Sequence, residues 1–168
     1  MSDEFLSLSK WGGVILVEKI REYASYGLHI LTFIAYFILL SILEIPPALQ
    51  FLQYFGMLFF LIGTVFLFLS ITTLMQNKTG KLLQTGVYGI VRHPMYMGAI
   101  LLFSAMVLFL PHWIMLLLAV INIIIVYYFM LTGEEKNIKK FGADYREYMV
   151  HVPRVNLVLG LIRWMKRD

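Results

Sequence analysis

The chain reads as long apolar runs separated by short polar ones. Four runs stand out, about Tyr26 to Ile45, Leu49 to Met75, Met95 to Leu110 and His112 to Thr132. Apolar residues fall on every side of a helix in stretches such as Phe55 to Leu69, so these helices need lipid or a much larger protein around them. At 1.5 Å rise per residue, roughly 20 residues cross the hydrocarbon core. Three runs reach that length. The third has 16 residues before Pro111, so it must borrow length from Tyr88 to Val91 or thin the bilayer locally. Pro46-Pro47 and Pro111-His112 cannot continue a helical ladder and read as tight turns closing two antiparallel hairpins.

The flanking segments have a different pattern. Before Tyr26, the apolar residues Phe5, Leu8, Trp11, Ile15, Val17, Ile20 and Tyr23 are interleaved with charges, which predicts a helix lying in the membrane interface. A single long tilted helix from Trp11 to Ile45 is the alternative. Val155 to Trp164, followed by Lys166 and Arg167, predicts a second interfacial helix. The resulting fold is an all-α integral membrane protein of four to five transmembrane helices in one domain. Residues 1–25 are the interfacial or first helix, 26–75 the first hairpin, 76–154 the polar region with the second hairpin, and 155–168 the tail.

Composition supports this layout. The 168 residues are 60% hydrophobic and 14% charged, against roughly 45–50% and about 25% in soluble domains. The absence of cysteine excludes disulfides, thiolate nucleophiles and Cys-ligated metal sites. At the N-terminus, Asp3 and Glu4 precede any basic residue, the reverse of a signal peptide. All 14 Lys and Arg fall before Tyr26, in the 76–94 loop or after Thr132, and neither proline turn carries one. The positive-inside rule then places both termini and the middle loop in the cytoplasm. The net charge of +4 fits anionic headgroups and is not surrounded by any nucleic-acid motif.

Polar chemistry is confined to two stretches that the second hairpin brings together. The first, Gly86 to Gly98, contains Tyr88, Gly89, Arg92-His93-Pro94 and Tyr96. The second contains Glu134-Glu135, Phe141-Gly142-Ala143-Asp144-Tyr145 and Tyr148, then Val152-Pro153-Arg154. The pattern G-x-Y-x-x-x-R-H-P-x-Y-x-G, followed one hairpin later by E-E, F-G-x-x-Y-x-x-Y and V-P, resembles the isoprenylcysteine carboxyl methyltransferases and their phospholipid methyltransferase relatives. It covers Gly80 to Arg154.

The resemblance implies a small helical membrane enzyme that takes S-adenosylmethionine from the cytosol. Its methyl acceptor would be a lipidic or prenylated small molecule or protein tail. The cytoplasmic-face site would lie between the last hairpin and the C-terminal tail. Carboxyl O-methylation of an isoprenylcysteine-like group is the leading reaction. Phosphatidylethanolamine-type N-methylation is the alternative. A sterol-reductase-like protein using a nicotinamide cofactor and a non-enzymatic lipid-binding scaffold are more distant ones. Two departures stand out: Gly80 replaces a histidine common in the family, and the interval from E-E to F-G is one residue short. Counted back from Phe141-Gly142, the second departure puts Glu134 and not Glu135 in the second glutamate position, and it leaves open which of the two faces the site, since adjacent helical residues point about 100° apart.

The residues can also be read on their own chemistry. Arg92 can hold a carboxylate in a bidentate fork, and the resemblance gives it the acceptor; the plainer role is headgroup binding. His93 can bond the cofactor or act as a structural partner, and Pro94 can start a span where its missing N–H costs nothing. Tyr88, Tyr96 and Tyr145 can offer rings and phenols to a sulfonium, or simply belong to a membrane interface. Gly98 allows close approach of a ligand or of another helix. Glu134 and Glu135 end the fourth span, where acidic residues are unfavourable without a partner: a cationic ligand or a ribose diol, or, at a solvated helix end, Lys139 and Lys140. Of the two, Glu135 is the expected catalytic partner because it lies nearer the tail. Arg154 is placed to close the site or meet a phosphate.

Overall fold

Helices form where the apolar runs predict them, and several of them end at or just before a glycine or proline. The computed structural model describes residues 2–166, with side chains from Val17 onward except Glu18 and Glu22. It contains α1 (Ser2–Ile42), α2 (Leu52–Gln76), α3 (Val87–Ile90), α4 (Pro94–Phe109), α5 (Trp113–Phe141), α6 (Ala143–His151) and α7 (Leu157–Met165), with a 3-10 turn at Pro47–Leu49. The chain divides into two units, residues 1–44 and 45–168.

The first unit is α1. Its backbone is helical straight through Tyr26, so the charge-interleaved stretch and the first apolar run form one helix, not two. Gly27 alone does not interrupt it, since an isolated glycine costs a helix only about 1 kcal/mol. The side chains of Phe5, Leu8, Trp11 and Ile15, which prompted the interfacial reading, lie outside the described residues.

The second unit carries the polar stretches. Its base is the pair α2 and α4, whose backbones meet at two glycines. A Cβ on Gly98 would stand 2.8 Å from the Gly63 carbonyl oxygen, and one on Gly63 2.9 Å from that of Gly98. Such approach maximises dispersion contact where lipid supplies no hydrophobic drive between helices. By length and composition, Lys19–Ile42, Leu52–Gln76 and Trp113–Phe141 can each cross a membrane. α4 cannot be lengthened as expected, because Val91 is extended (φ −134°, ψ 146°) and separates it from α3. It remains a helix of 16 residues.

α5 departs from expectation in the other direction. It continues past Thr132 to Phe141, because Glu, Lys and Asn in this stretch propagate a helix well enough. It stops at Gly142, whose φ of +59° suits a residue without Cβ. The chain then turns into α6. Glu134 and Glu135 are therefore inside a helix, and the unfavourable helix end inferred for them does not exist.

Candidate active site

The buried residues of α5 are Met115, Ala119, Asn122, Val126, Met130 and Glu134. Steps of three and four keep them on one face, so the stripe that packs the helix ends in a carboxylate. Glu134 is 4% exposed, while Glu135, one position round the helix, is exposed. This corrects the expectation for Glu135: Glu134 is the glutamate turned inward. The register counted from Phe141-Gly142 had pointed to it.

Two guanidinium groups and one imidazole converge on Glu134. Arg92 Nη2 lies 3.1 Å and His93 Nε2 3.1 Å from Oε1. Arg154 approaches with a fork, Nε donating to Oε1 at 3.0 Å and Nη2 to Oε2 at 2.6 Å. A carboxylate taken out of water needs such compensation, or its desolvation destabilises the fold by several kcal/mol. The Glu134 bond in turn raises the Arg154 pKa. Arg92 Nη1 donates to the Met149 carbonyl at 3.2 Å. Arg92 Nε is buried with no hydrogen-bond partner among the described residues.

Backbone bonds hold the two polar stretches together. The N–H groups of Arg92 and His93 donate to the carbonyls of Pro153 and Arg154 at 2.9 and 3.2 Å. The strap after α6 thus pairs with the extended residues before α4. Val152 packs with Tyr145 and Tyr148, while Val155 packs against Phe66, Val91 and Met97. Pro153 and Arg154 are consequently held between two apolar clusters. The Tyr148 hydroxyl donates to the Tyr88 carbonyl, tying α6 to α3.

Beside this knot lie two adjoining recesses. The inner one, of about 210 Å³, is lined by Tyr88, Arg92, Asn137, Tyr145, Lys81 and Lys140, with Leu74, Leu82, Leu83 and Phe141 among its apolar walls. The outer one, of about 840 Å³, shares Gly80, Lys81, Leu82, Phe141 and Tyr148 with it and adds Gln84, Asp144, Glu147 and His151. Burial, helped by the neighbouring Tyr96, raises Tyr88 to about 12, and burial also raises Tyr145. Both are phenols at neutral pH. Gly80, the expected histidine position, has φ +63°, and Lys140 Nζ lies 3.8 Å from where its Cβ would stand.

Of the residues singled out from the sequence, Arg92, Tyr88 and Tyr145 line the inner recess. His93 does not, and is turned to Glu134 instead. Tyr96 packs its ring 5.7 Å from that of His93. Pro94 is the first residue of α4. Gly98, expected to approach a cofactor, is covered by α2 at Gly63 and Leu67, so its close contact is between helices. Asn137, Lys81 and Lys140 were missed. Asn137 follows Glu134 by three residues, which places it on the same helix face. That spacing was the available signal. The lysines are brought to the recess by the 77–86 loop and the last turn of α5, which no local pattern announces.

Long apolar helices with a buried ionic knot beside a recess define a helical membrane protein with a polar site at one end of its bundle. A family model for phospholipid methyltransferases matches residues 51–143, more than half of the chain. The chain belongs to that family, and it is a membrane protein of the methyltransferase class. Membership implies use of S-adenosylmethionine in general and gives no support to the nicotinamide-reductase reading. No curated protein and no solved structure gave a significant match.

Proposed function

We propose that the chain is an S-adenosylmethionine-dependent methyltransferase acting on a lipid acceptor held in the bilayer, and that the accepting group is a carboxylate of the isoprenylcysteine type. The observation that carries this choice is the charge of the inner recess. Lys81, Arg92 and Lys140 line it, and among the described residues no Asp or Glu does. A carboxylate acceptor is already ionised at neutral pH and needs cations to hold it, whereas an ammonium must first give a proton to a base. Glu134 is engaged by Arg92, Arg154 and the His93 ring, and Tyr88, a phenol up to about 12, is no base near neutrality.

The residues present fit the cofactor and acceptor that the family implies. S-adenosylmethionine supplies, when bound, an electrophilic methyl group on a cationic sulfur. The unpartnered Arg92 Nε suits an oxygen of a bound carboxylate, since a buried donor left unpaired costs about 1–3 kcal/mol. Tyr88 and Tyr145 present rings and hydroxyls to the same space. Leu74, Leu82, Leu83 and Phe141 give the recess apolar walls, and a bound ligand that displaces water from them strengthens every electrostatic contact inside it.

Asp144 and Glu147 on the outer recess favour a second reading, N-methylation of an ethanolamine-type headgroup, because they offer a base. Radiolabelled methyl transfer to a prenylcysteine analogue and to a total lipid extract separates the two. An alkali-labile product on the analogue supports the first reading, and an alkali-stable product on phospholipid replaces it with the second. The fourteen basic residues of the sequence avoid both proline turns, which supports a cytoplasmic site and cytoplasmic termini. Reporter fusions after Asp168 and within Pro46-Pro47 are expected on opposite sides; the same side for both would overturn that orientation.

A further inference from the structure

Arg154 lies outside the family match, on the strap between α6 and α7, yet it makes the densest set of side-chain bonds to Glu134. Its fork occupies both carboxylate oxygens, at 3.0 and 2.6 Å. Its remaining terminal nitrogen, Nη1, donates to the Tyr127 hydroxyl at 2.9 Å, seven residues and two turns earlier on α5. Its backbone carbonyl accepts from His93 N–H. One residue therefore touches Glu134 and His93 directly and grips α5 at two levels. Arg92 and His93 each reach Glu134 through a single nitrogen at 3.1 Å, so their geometry depends on how that carboxylate is turned.

We propose that Arg154 is a positioning residue: its guanidinium fork sets the plane of the Glu134 carboxylate, and that plane holds Arg92 with its unpartnered Nε beside the inner recess. A planar five-donor fork fixes orientation, whereas a point charge on a flexible stem fixes only distance. Arg154 has the geometry for the first task. Tyr127 keeps the guanidinium from swinging out of plane, and the flanking Val152 and Val155 clusters hold the strap at the right height. The catalytic meaning of this arrangement rests on the methyl-transfer reading above, but the arrangement itself can be tested without it.

The experiment uses the full chain in lipid nanodiscs as wild type, Arg154→Lys, Arg154→Gln, Glu134→Gln and the Arg154→Gln/Glu134→Gln pair. Helix melting is followed by circular dichroism. The rate at which phenylglyoxal modifies Arg92 is read by mass spectrometry. Methyl transfer to the prenylcysteine analogue gives kcat and KM. Arg154→Gln is expected to stay helical, to expose Arg92 to modification at least about fivefold faster, and to lower kcat about tenfold or more with KM changed much less. Arg154→Lys is expected to restore the charge but only part of kcat. The double variant is expected to be no worse than Glu134→Gln, because residues acting through one group are not additive. An unchanged Arg92 modification rate in Arg154→Gln overturns the proposal, as do losses that multiply in the double variant. If Arg154→Gln does not fold, Arg154→Lys carries the test, and wild-type kcat with wild-type Arg92 protection overturns it. A wild type that transfers no methyl defeats the functional reading alone, since the Arg92 modification rate still decides the positioning claim.

Discussion

Two regions of the 45–168 unit are tightly packed for opposite reasons. Where α2 meets α4, contact is made by missing side chains on one or both partners: Gly63 and Gly98 bring backbones together, and Gly56 makes room for the Phe109 ring. Where α5 meets the strap and the start of α4, contact is made by four charged or ionisable side chains. The first interface gains from dispersion, which is non-directional and summed over many atoms. The second depends on direction, because each bond to Glu134 has value only at the right angle and distance. A helix pair in lipid can slide slightly at modest loss. An ionic knot beside a recess cannot.

The sharpest way to break the comparison is to remove charge from the knot without changing its shape. Glu134→Gln is expected to lose about 2–4 kcal/mol of transition-state stabilisation in methyl transfer, while Glu135→Gln, on the exposed side of the same turn, is expected to keep full activity. Kinetics across a range of cofactor concentrations check both. Equal behaviour of the two variants would mean that Glu134 is structural ballast.

Arg92→Lys sharpens the distinction between charge and direction. Lysine keeps the cation but gathers its donors on one nitrogen, so it does not span Glu134, the Met149 carbonyl and a ligand as the planar fork does. Turnover is expected to fall by about 1.5–3 kcal/mol, the range of a hydrogen bond to a charged group. Cofactor affinity, measured by calorimetry, is expected to change less. Loss of affinity with unchanged turnover would instead assign Arg92 to the carboxylate of the cofactor.

The apolar interface is tested by Gly98→Ala. The new methyl would meet the Gly63 carbonyl and Leu67 at 2.8 Å, and overpacking of this kind costs about 1–3 kcal/mol. Reversible unfolding in detergent is expected to shift by that amount, with kcat less affected than by the knot variants.

The smallest effect is electrostatic and confined to high pH. Tyr88 is raised to about 12 by burial, with Tyr96 adding to it. The folded chain therefore holds that proton more tightly than the unfolded chain does. The linked stability is fully present below pH 10 and is lost as pH rises through about 12. Tyr88→Phe has nothing to ionise and is expected to melt less steeply with pH in that window, with no difference near neutrality.

Much of this molecule is legible in its sequence because hydrophobic periodicity and turn chemistry are local. The apolar runs located α2, α4 and most of α5, the prolines located two turns, and the two polar stretches holding Arg92-His93-Pro94 and Glu134-Glu135 were expected to meet, as Arg92, His93 and Glu134 do. The inward stripe of Met115, Ala119, Asn122, Val126 and Met130 on which Glu134 falls was not legible, since apolar residues surround α5 on every side and only packing selects a face. The end of α5 at Phe141 and not Thr132 was harder, because Glu and Lys continue a helix as readily as they leave one. Only the tertiary structure decided that Gly98 serves a neighbouring helix, that Glu134 and the Met149 carbonyl hold Arg92 while Arg154 holds Glu134, and that Lys81 and Lys140 line one recess. These contacts join residues distant along the chain. Their partners are set by how the strap and the 77–86 loop fold back over α5, and no local spacing encodes that return.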